Sequence, residues 1–385
     1  MTAPAPEPVH QLVYLPHIGL SQVDEIRFRG LRLINFDRCA DAIPDSTVRA
    51  YVRRILDMHK DSARDPTKAR TLPDQGVILA DPSLAPLSRD QRSRAFEFRR
   101  ALFLSCLTAN ARLWGVNAGF AVYTSENFDL VTQNFALGND FISELTGVIN
   151  RLNTMGYKIG ETRFPRPSHI NIPRRFGYDE NMFEQLRWLR RADSKLYRRI
   201  MRATAVFLES YYNTPSVDVR ARVLLQVASF EILFDLPDQG QRKACKDAIE
   251  AWTGNAGDRR FRYKYEVPNG HRVEVRTLQG IWADRFYTLR NHIIHGEVVA
   301  DGDYVFRGEQ HHLVIAPFFF VLSIQRMVNA VHTLRQGRPV FFDRLKREIV
   351  TDDHGNPTKE RAFRLVTDLA ALIVAKGLRA VVGRD

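Results

Sequence analysis

The sequence predicts an α+β protein in two parts. A mixed α/β domain spans residues 1–175, and an all-α helical bundle with an inserted β-hairpin spans 176–335; an extension, 336–385, packs on the bundle. Three observations predict this. Strand-like and helix-like runs alternate up to Pro173, long runs of helical period begin at Asp179, and Asn269-Gly270 stands between two runs of alternating polarity. At 385 residues the chain is long enough for two domains, and 44% hydrophobic with 26% charged residues is the balance of a folded chain.

The first nine residues form a Pro/Ala tail. Strands are expected at 12–15, 25–35, 77–79, 118–123 and 170–172, where β-branched and aromatic residues gather. Helices are expected at 46–58, 88–113 and 139–155. In the second of these, Ala95, Phe98, Leu102 and Cys106 recur at three- or four-residue steps and make one apolar stripe. Residues 61–75 read as a polar loop. Pro165, Pro167 and Pro173, with Arg174 and Arg175, mark the junction between the two parts.

Beyond it, one helix is expected over 179–212 with Phe183, Leu186, Leu189, Leu196, Ile200, Ala203 and Phe207 inward. Residues 213–216 break it, and Ser216 offers an N-cap to a helix over 217–236. From Val223 that helix is apolar almost all round, which predicts a central, buried position. A shorter amphipathic helix, 241–252, ends at Gly254. The hairpin follows, its turn set by Asn269-Gly270. Helices over 277–295 and 313–335 complete the bundle, and the extension reads as strand, turn (352–357) and a last helix from Lys359.

Composition removes several classes. Three separated cysteines, Cys39, Cys106 and Cys245, contain no CxxC pair, which excludes a disulfide framework and a multi-cysteine zinc module. The start, MTAPAPEPVH, lacks the basic-then-apolar run of a secretory signal. No stretch reaches the roughly 18 uninterrupted apolar residues of a membrane span; the richest, 313–331, is broken by Pro317, Gln325, Arg326 and Asn329. These features predict a soluble protein of a reducing compartment, most simply the bacterial cytoplasm, with no membrane partner. Fifty-six Lys and Arg against 44 Asp and Glu leave a charge of +12, spread along the chain, which suits a polyanionic partner such as nucleic acid.

Residues 287–296, Tyr-Thr-Leu-Arg-Asn-His-Ile-Ile-His-Gly, carry the chemistry. Gly296 sits where a helix closes in the left-handed conformation, so His295 meets the partial negative charge of a helix C-terminus. Asn291 and His295 are four apart and share a face; Arg290 and His295 are five apart, about 140° around the axis. Arg and His suit RNA cleavage, because RNA brings its own nucleophile, the 2′-hydroxyl. Imidazole moves the protons and guanidinium holds the phosphate as charge builds on it. No metal-ligand set and no cofactor motif accompanies them. Residue types alone fit a structural reading equally: Arg290 caps helical carbonyls and His295 simply ends the helix.

Arg290-Asn291-x-Ile-x-His295-Gly resembles the Arg-x(4–6)-His motif of the HEPN superfamily, in which a polar residue commonly follows the arginine. Residues 224–236, LLQVASFEILFDL, are similar to the central helix of the Apea-like HEPN group found in anti-phage proteins. The resemblance covers roughly residues 180–335. It implies a HEPN-like bundle and a metal-independent, dimeric endoribonuclease of antiviral-defence or toxin-like type. Arg290 would then hold the phosphate, His295 would transfer protons and Asn291 would orient the pair. Glu231 falls at an acidic position of the central helix and His292 lies within the motif, both as supporting residues. The subgroup silenced by nucleotidylation carries Tyr two positions after the histidine; here Glu297 stands there.

In the hairpin's first strand Arg260, Arg262 and Lys264 alternate with Phe261, Tyr263 and Tyr265, so the cations share a face fit either to grip RNA phosphates or to keep an edge strand solvated. Arg187, Arg191, Lys195 and Arg199 form a second basic stripe that reads as a solvated helix face. Asp352, Asp353 and His354 lie in a turn, and His311-His312 lack partners at ligand spacing. The expected partners are RNA, a second copy of the chain, and a phage or regulatory trigger for the N-terminal domain. Two alternatives stay open: a bundle that binds RNA or nucleotide without cutting, and a dimerising scaffold. A buried Arg290–Glu231 ion pair would favour the scaffold, an exposed Arg290/His295 cleft the enzyme.

Overall fold

The computed structural model describes residues 9–21, 23–61, 70–111, 124–145, 154–167, 170, 177–212, 217–254, 258–267, 270–306 and 310–336. The protein is α+β, with an antiparallel sheet in one compact unit and a helical region in the other. The first unit holds residues 1–103, 121–177 and 212–214; the second holds 104–120, 178–211 and 215–385. The division at 177/178 lies beside the expected 175/176. Among the described residues, 104–111 go with the second unit rather than the first.

In the first unit the elements are β1 (Val9–Gly19), β2 (Glu25–Phe28), β3 (Leu31–Asn35), α1 (Phe36–Cys39), α2 (Ser46–Leu56), β4 (His59–Lys60) and β5 (Gln75–Leu79). They are followed by α3 (Arg89–Ala111, to Phe103 in this unit), β6 (Val131–Ala136), β7 (Phe141–Leu145), β8 (Thr154–Lys158) and β9 (Phe164–Pro165). Seven strands form one sheet in the order β2-β3-β5-β1-β6-β7-β8, every neighbouring pair antiparallel. β1 is its middle strand, and residues 11–16 are buried without alternation, as a strand covered on both faces requires. Val48, Val52 and Ile55 of α2 join Leu12, Tyr14, Ile34 and Val77 in one core. From α3, Phe98 meets Phe28 of β2 at 5.4 Å, and Ala95, Phe98, Leu102 and Cys106 are all buried. Burial, then the charge of His17, pushes the His59 imidazole down to about 3.

The second unit contains α4 (Glu180–Ala192), α5 (Ser194–Glu209), α6 (Val219–Phe234), α7 (Gln241–Thr253), the hairpin β10 (Arg260–Val267) and β11 (Gly270–Thr277), and α8 (Leu278–Ile294). A short ladder, β12 (Val305–Phe306) with β13 (Gln310–His311), precedes α9 (His312–Gln336). The core is aromatic. Phe207 of α5 stacks on Phe320 of α9 at 4.1 Å, and Phe230 of α6 lies 5.7 Å from Phe320 and 6.1 Å from Trp282 of α8. One ring from each of four helices therefore meets at a single point. α6 packs against α5, α8 and α9, the central place its composition predicts. α9 is long and apolar enough to cross a membrane by length and composition, but 67% of its most apolar window is buried, as in a core helix.

Several expectations are corrected. The helix expected over 139–155 is corrected where the residues are described: β7 (141–145) and β8 (154–158) pair antiparallel, with Ile142 buried and Phe141 exposed, and 146–153 lie outside the described residues. Pairing with β6 decides the matter, since a short apolar run fits either period. The 25–35 run is two strands, folded back by Arg29 and Gly30, both at positive φ. The 179–212 helix is two. Asp193 ends α4 through its own N–H to the Leu189 carbonyl and starts α5 by accepting the Leu196 N–H on its side chain. α6 is capped by Asp218, which accepts the Arg220 N–H. The second unit carries two inserted ladders, so it is not purely helical around one hairpin. The expected strand at 118–123, the break at 213–216, Asn269 and the extension from 337 onward lie outside the described residues.

Candidate functional site

The candidate site is built on α8, and local chemistry fixes both ends of that helix. Thr277 is the N-cap, accepting the Gly280 N–H, while Glu250 of α7 accepts the Thr277 N–H at 2.7 Å and its hydroxyl at 2.8 Å. A Cβ at Gly280 would overlap the Glu250 side chain, so a larger residue there would push that carboxylate off Thr277. At the other end the Gly296 N–H reaches the Ile293 carbonyl and the Glu297 N–H reaches the His292 carbonyl, with Gly296 at φ +70°. That is the Schellman closure. It makes His295 the C-cap and turns Glu297 back until its carboxylate lies 3.7 Å from His292 Nε2.

One face of α8 is closed by partners. Asp284, fully buried, takes a bidentate grip from Arg242 at 2.8 and 2.7 Å, Lys246 at 3.2 Å and the Tyr263 hydroxyl at 3.1 Å. Burial would raise its carboxyl, but the Arg242 hydrogen bond and charge, with Lys246, outweigh that and hold it below the usual carboxylate range. Burial, then Asp284, pushes the Tyr263 phenol up to about 12. One turn on, Tyr287 donates to Glu231 of α6 at 2.7 Å and to Gln241 at 2.8 Å. Arg290 lies over the Tyr287 ring, donates to Asn291 Oδ1 at 3.1 Å and approaches Glu231 at 3.4 Å.

Of the two arrangements expected for this site, the Arg290–Glu231 pair is present. Its side chains are only 24% and 19% exposed, and at 3.4 Å it is long for a charge-assisted bond. Glu231's short bond goes to Tyr287, so Arg290 is held loosely. His295 is exposed, and no side-chain partner meets it among the described residues. Arg290 and His295 do not share a face. Counting 100° per residue, His295 projects between His292 and Asn291.

The other face of α8 is open. Arg285, Thr288 and His292, three and four residues apart, line a cavity of about 500 Å³ walled by the hairpin and residues 302–306. Arg262 and Lys264 face it from β10. The expected alternation holds, with Arg260, Arg262 and Lys264 exposed while Tyr263 is buried. Arg285 is the residue that sequence reasoning misses. A helical wheel drawn from His292 back through Thr288 finds it. His312, with His311 expected to lack partners, forms part of the cavity's lining; burial, then His311 and Arg285, pushes its imidazole down to about 3.

Among the described residues no group of three or more His, Cys, Asp or Glu side chains is placed to hold a metal ion. No family model matches the chain, and neither curated proteins nor solved structures yield a match.

Proposed function

We propose that the chain is a metal-independent endoribonuclease of HEPN type, with His295 as its proton-transfer residue and Arg290 and Asn291 as its phosphate-handling pair. The observation that carries this reading is the position of His295: an exposed imidazole without a side-chain partner among the described residues, at a rigidly closed helix end, on the seam between the Arg290–Asn291 face and the cationic cavity. In the reaction the RNA 2′-oxygen attacks the adjacent phosphorus, the bond from phosphorus to the 5′-oxygen breaks, and the products are a 2′,3′-cyclic phosphate and a 5′-hydroxyl. One imidazole takes the 2′-proton and a second delivers a proton to the leaving oxygen. Two copies of the chain supply the two imidazoles, so the enzyme acts as a homodimer through its helical unit. Arg290 meets the phosphate by leaving Glu231, whose carboxylate keeps the Tyr287 hydroxyl.

The Arg290–Glu231 contact favours a second reading, a helical scaffold that dimerises without cutting RNA. Incubating the purified chain with total RNA in EDTA separates the two. Cleavage leaving cyclic or 3′-phosphate ends, lost in His295→Ala, is the expected result. Intact RNA, or cleavage that needs magnesium, refutes the ribonuclease. An antiviral or toxin-like role is what the family resemblance implies.

A further inference from the structure

We propose that the cavity on the Arg285 face of α8 binds a nucleotide, its phosphate on Arg262, Lys264 and Arg285 and its base against the buried floor. The charge balance points to an anion. Beneath the hairpin every cation is matched: Arg242 and Lys246 by Asp284, and Arg276 by Glu274, Asp247 and Glu250 at 2.6–2.8 Å. On the cavity side Arg262, Lys264 and Arg285 meet no carboxylate among the described residues. The one acid in the lining, Asp303, accepts the Ala300 N–H of its own turn at 3.0 Å. Three exposed cations around one concavity outnumber its single carboxylate, Asp303, and the surplus of positive charge suits an anionic ligand.

The floor narrows the class of anion. Ile281, Leu289 and Phe306 are each under 5% exposed, and Tyr263 and His312 add two more rings. The buried imidazole of His312 is kept neutral, so the floor carries no charge, and its Nδ1 has no hydrogen-bond partner. A flat, largely apolar group with polar edges fits such a floor, and a base on aromatic rings is the familiar case. Inorganic phosphate would use the rim alone. The volume falls within the ~300–1,000 Å³ of small-molecule sites. One chemistry has two sources here, a free nucleoside monophosphate or one nucleotide of an RNA strand. The inference deepens the ribonuclease reading, and only its RNA arm rests on that reading.

The test is titration calorimetry on the full chain with the four nucleoside monophosphates, inorganic phosphate, uncharged nucleosides and a short oligoribonucleotide. At least one monophosphate should bind more tightly than either inorganic phosphate or its own nucleoside. Arg285→Ala should weaken it by about 10- to 100-fold, the loss of one charged hydrogen bond, with thermal unfolding of the variant unchanged. An oligoribonucleotide that displaces the monophosphate identifies RNA as the source; one that binds without displacing it identifies a free nucleotide. Absence of monophosphate binding at millimolar concentration, equal affinity in Arg285→Ala, or inorganic phosphate binding as tightly as any monophosphate overturns the proposal. Monophosphate binding by a chain that leaves RNA intact would refute the ribonuclease while upholding this site.

Discussion

The two faces of α8 use the same residue types to opposite ends. On one, Asp284, Tyr287 and Arg290 are each taken up by α6, α7 or the hairpin; on the other, Arg285, Thr288 and His292 open onto a cavity. Arginine stands on both. What differs is whether a carboxylate is placed opposite, as Glu231 is for Arg290 and none is, among the described residues, for Arg285. A charged residue on a helix is therefore read by its partner, and the partner comes from another element. His295 lies where the two faces meet, and it is the first place to strike.

His295→Ala should lower the rate of RNA cleavage by roughly 100- to 10,000-fold, the usual range for a lost proton-transfer group. Affinity for a mononucleotide should not change, because His295 does not line the cavity. A parallel fall in both would merge the two faces into one site. Asp284→Asn attacks the closed face and should cost about 1–3 kcal/mol, because Arg242 loses its bidentate partner and Lys246, itself 3% exposed, is left with Glu274 alone. Urea unfolding measures it; a loss under about 1 kcal/mol would mean that the network is dispensable.

Acid should act on the open side through its floor. His312 titrates near 3 in the folded protein against about 6.5 unfolded, so between those values the unfolded chain binds the extra proton. The stabilisation is complete above pH 6.5 and declines as pH falls toward 3, by about 1.4 kcal/mol per pH unit. His59 adds a similar dependence in the first unit. Urea unfolding at pH 7 and pH 5, on wild type and His312→Phe, separates the two: the variant should show the shallower slope, and equal slopes would refute the role given to His312. The smallest effect belongs to Glu231→Gln. A partly exposed pair at 3.4 Å should cost under ~1 kcal/mol, while freeing Arg290 should tighten RNA binding. Weaker binding would instead make Glu231 part of the RNA surface.

Much of this frame is legible in the residues. The Asn-Gly turn, the alternating hairpin and Gly296 as a helix stop are local signals, and the structure places hairpin and helix end where those signals lie. β7 and β8, which fall where a helix over 139–155 is expected, carry no such mark, because their state is set by the long-range ladder to β6. Asp193 reads as one polar residue in a helical run, yet its side chain caps α5. At the site, the motif leads to Arg290, Asn291 and His295 but not to Arg285. Nothing in the order of residues says that Glu231 will approach one arginine and that a hairpin about 20 residues away will curl over the other.

The carboxylate network under the hairpin has a consequence for the behaviour of the chain in salt. Asp284 and Lys246 are sealed from solvent, and Arg276 is nearly so, whereas the cavity cations face water. Mobile ions screen exposed charges over a Debye length of about 8–10 Å at physiological strength and reach buried pairs far less. Rising ionic strength would thus weaken the proposed hold on a phosphate while leaving the hairpin wall in place. Occupancy of the proposed site and the architecture around it would then respond to different conditions, and high salt would empty the cavity without unfolding it.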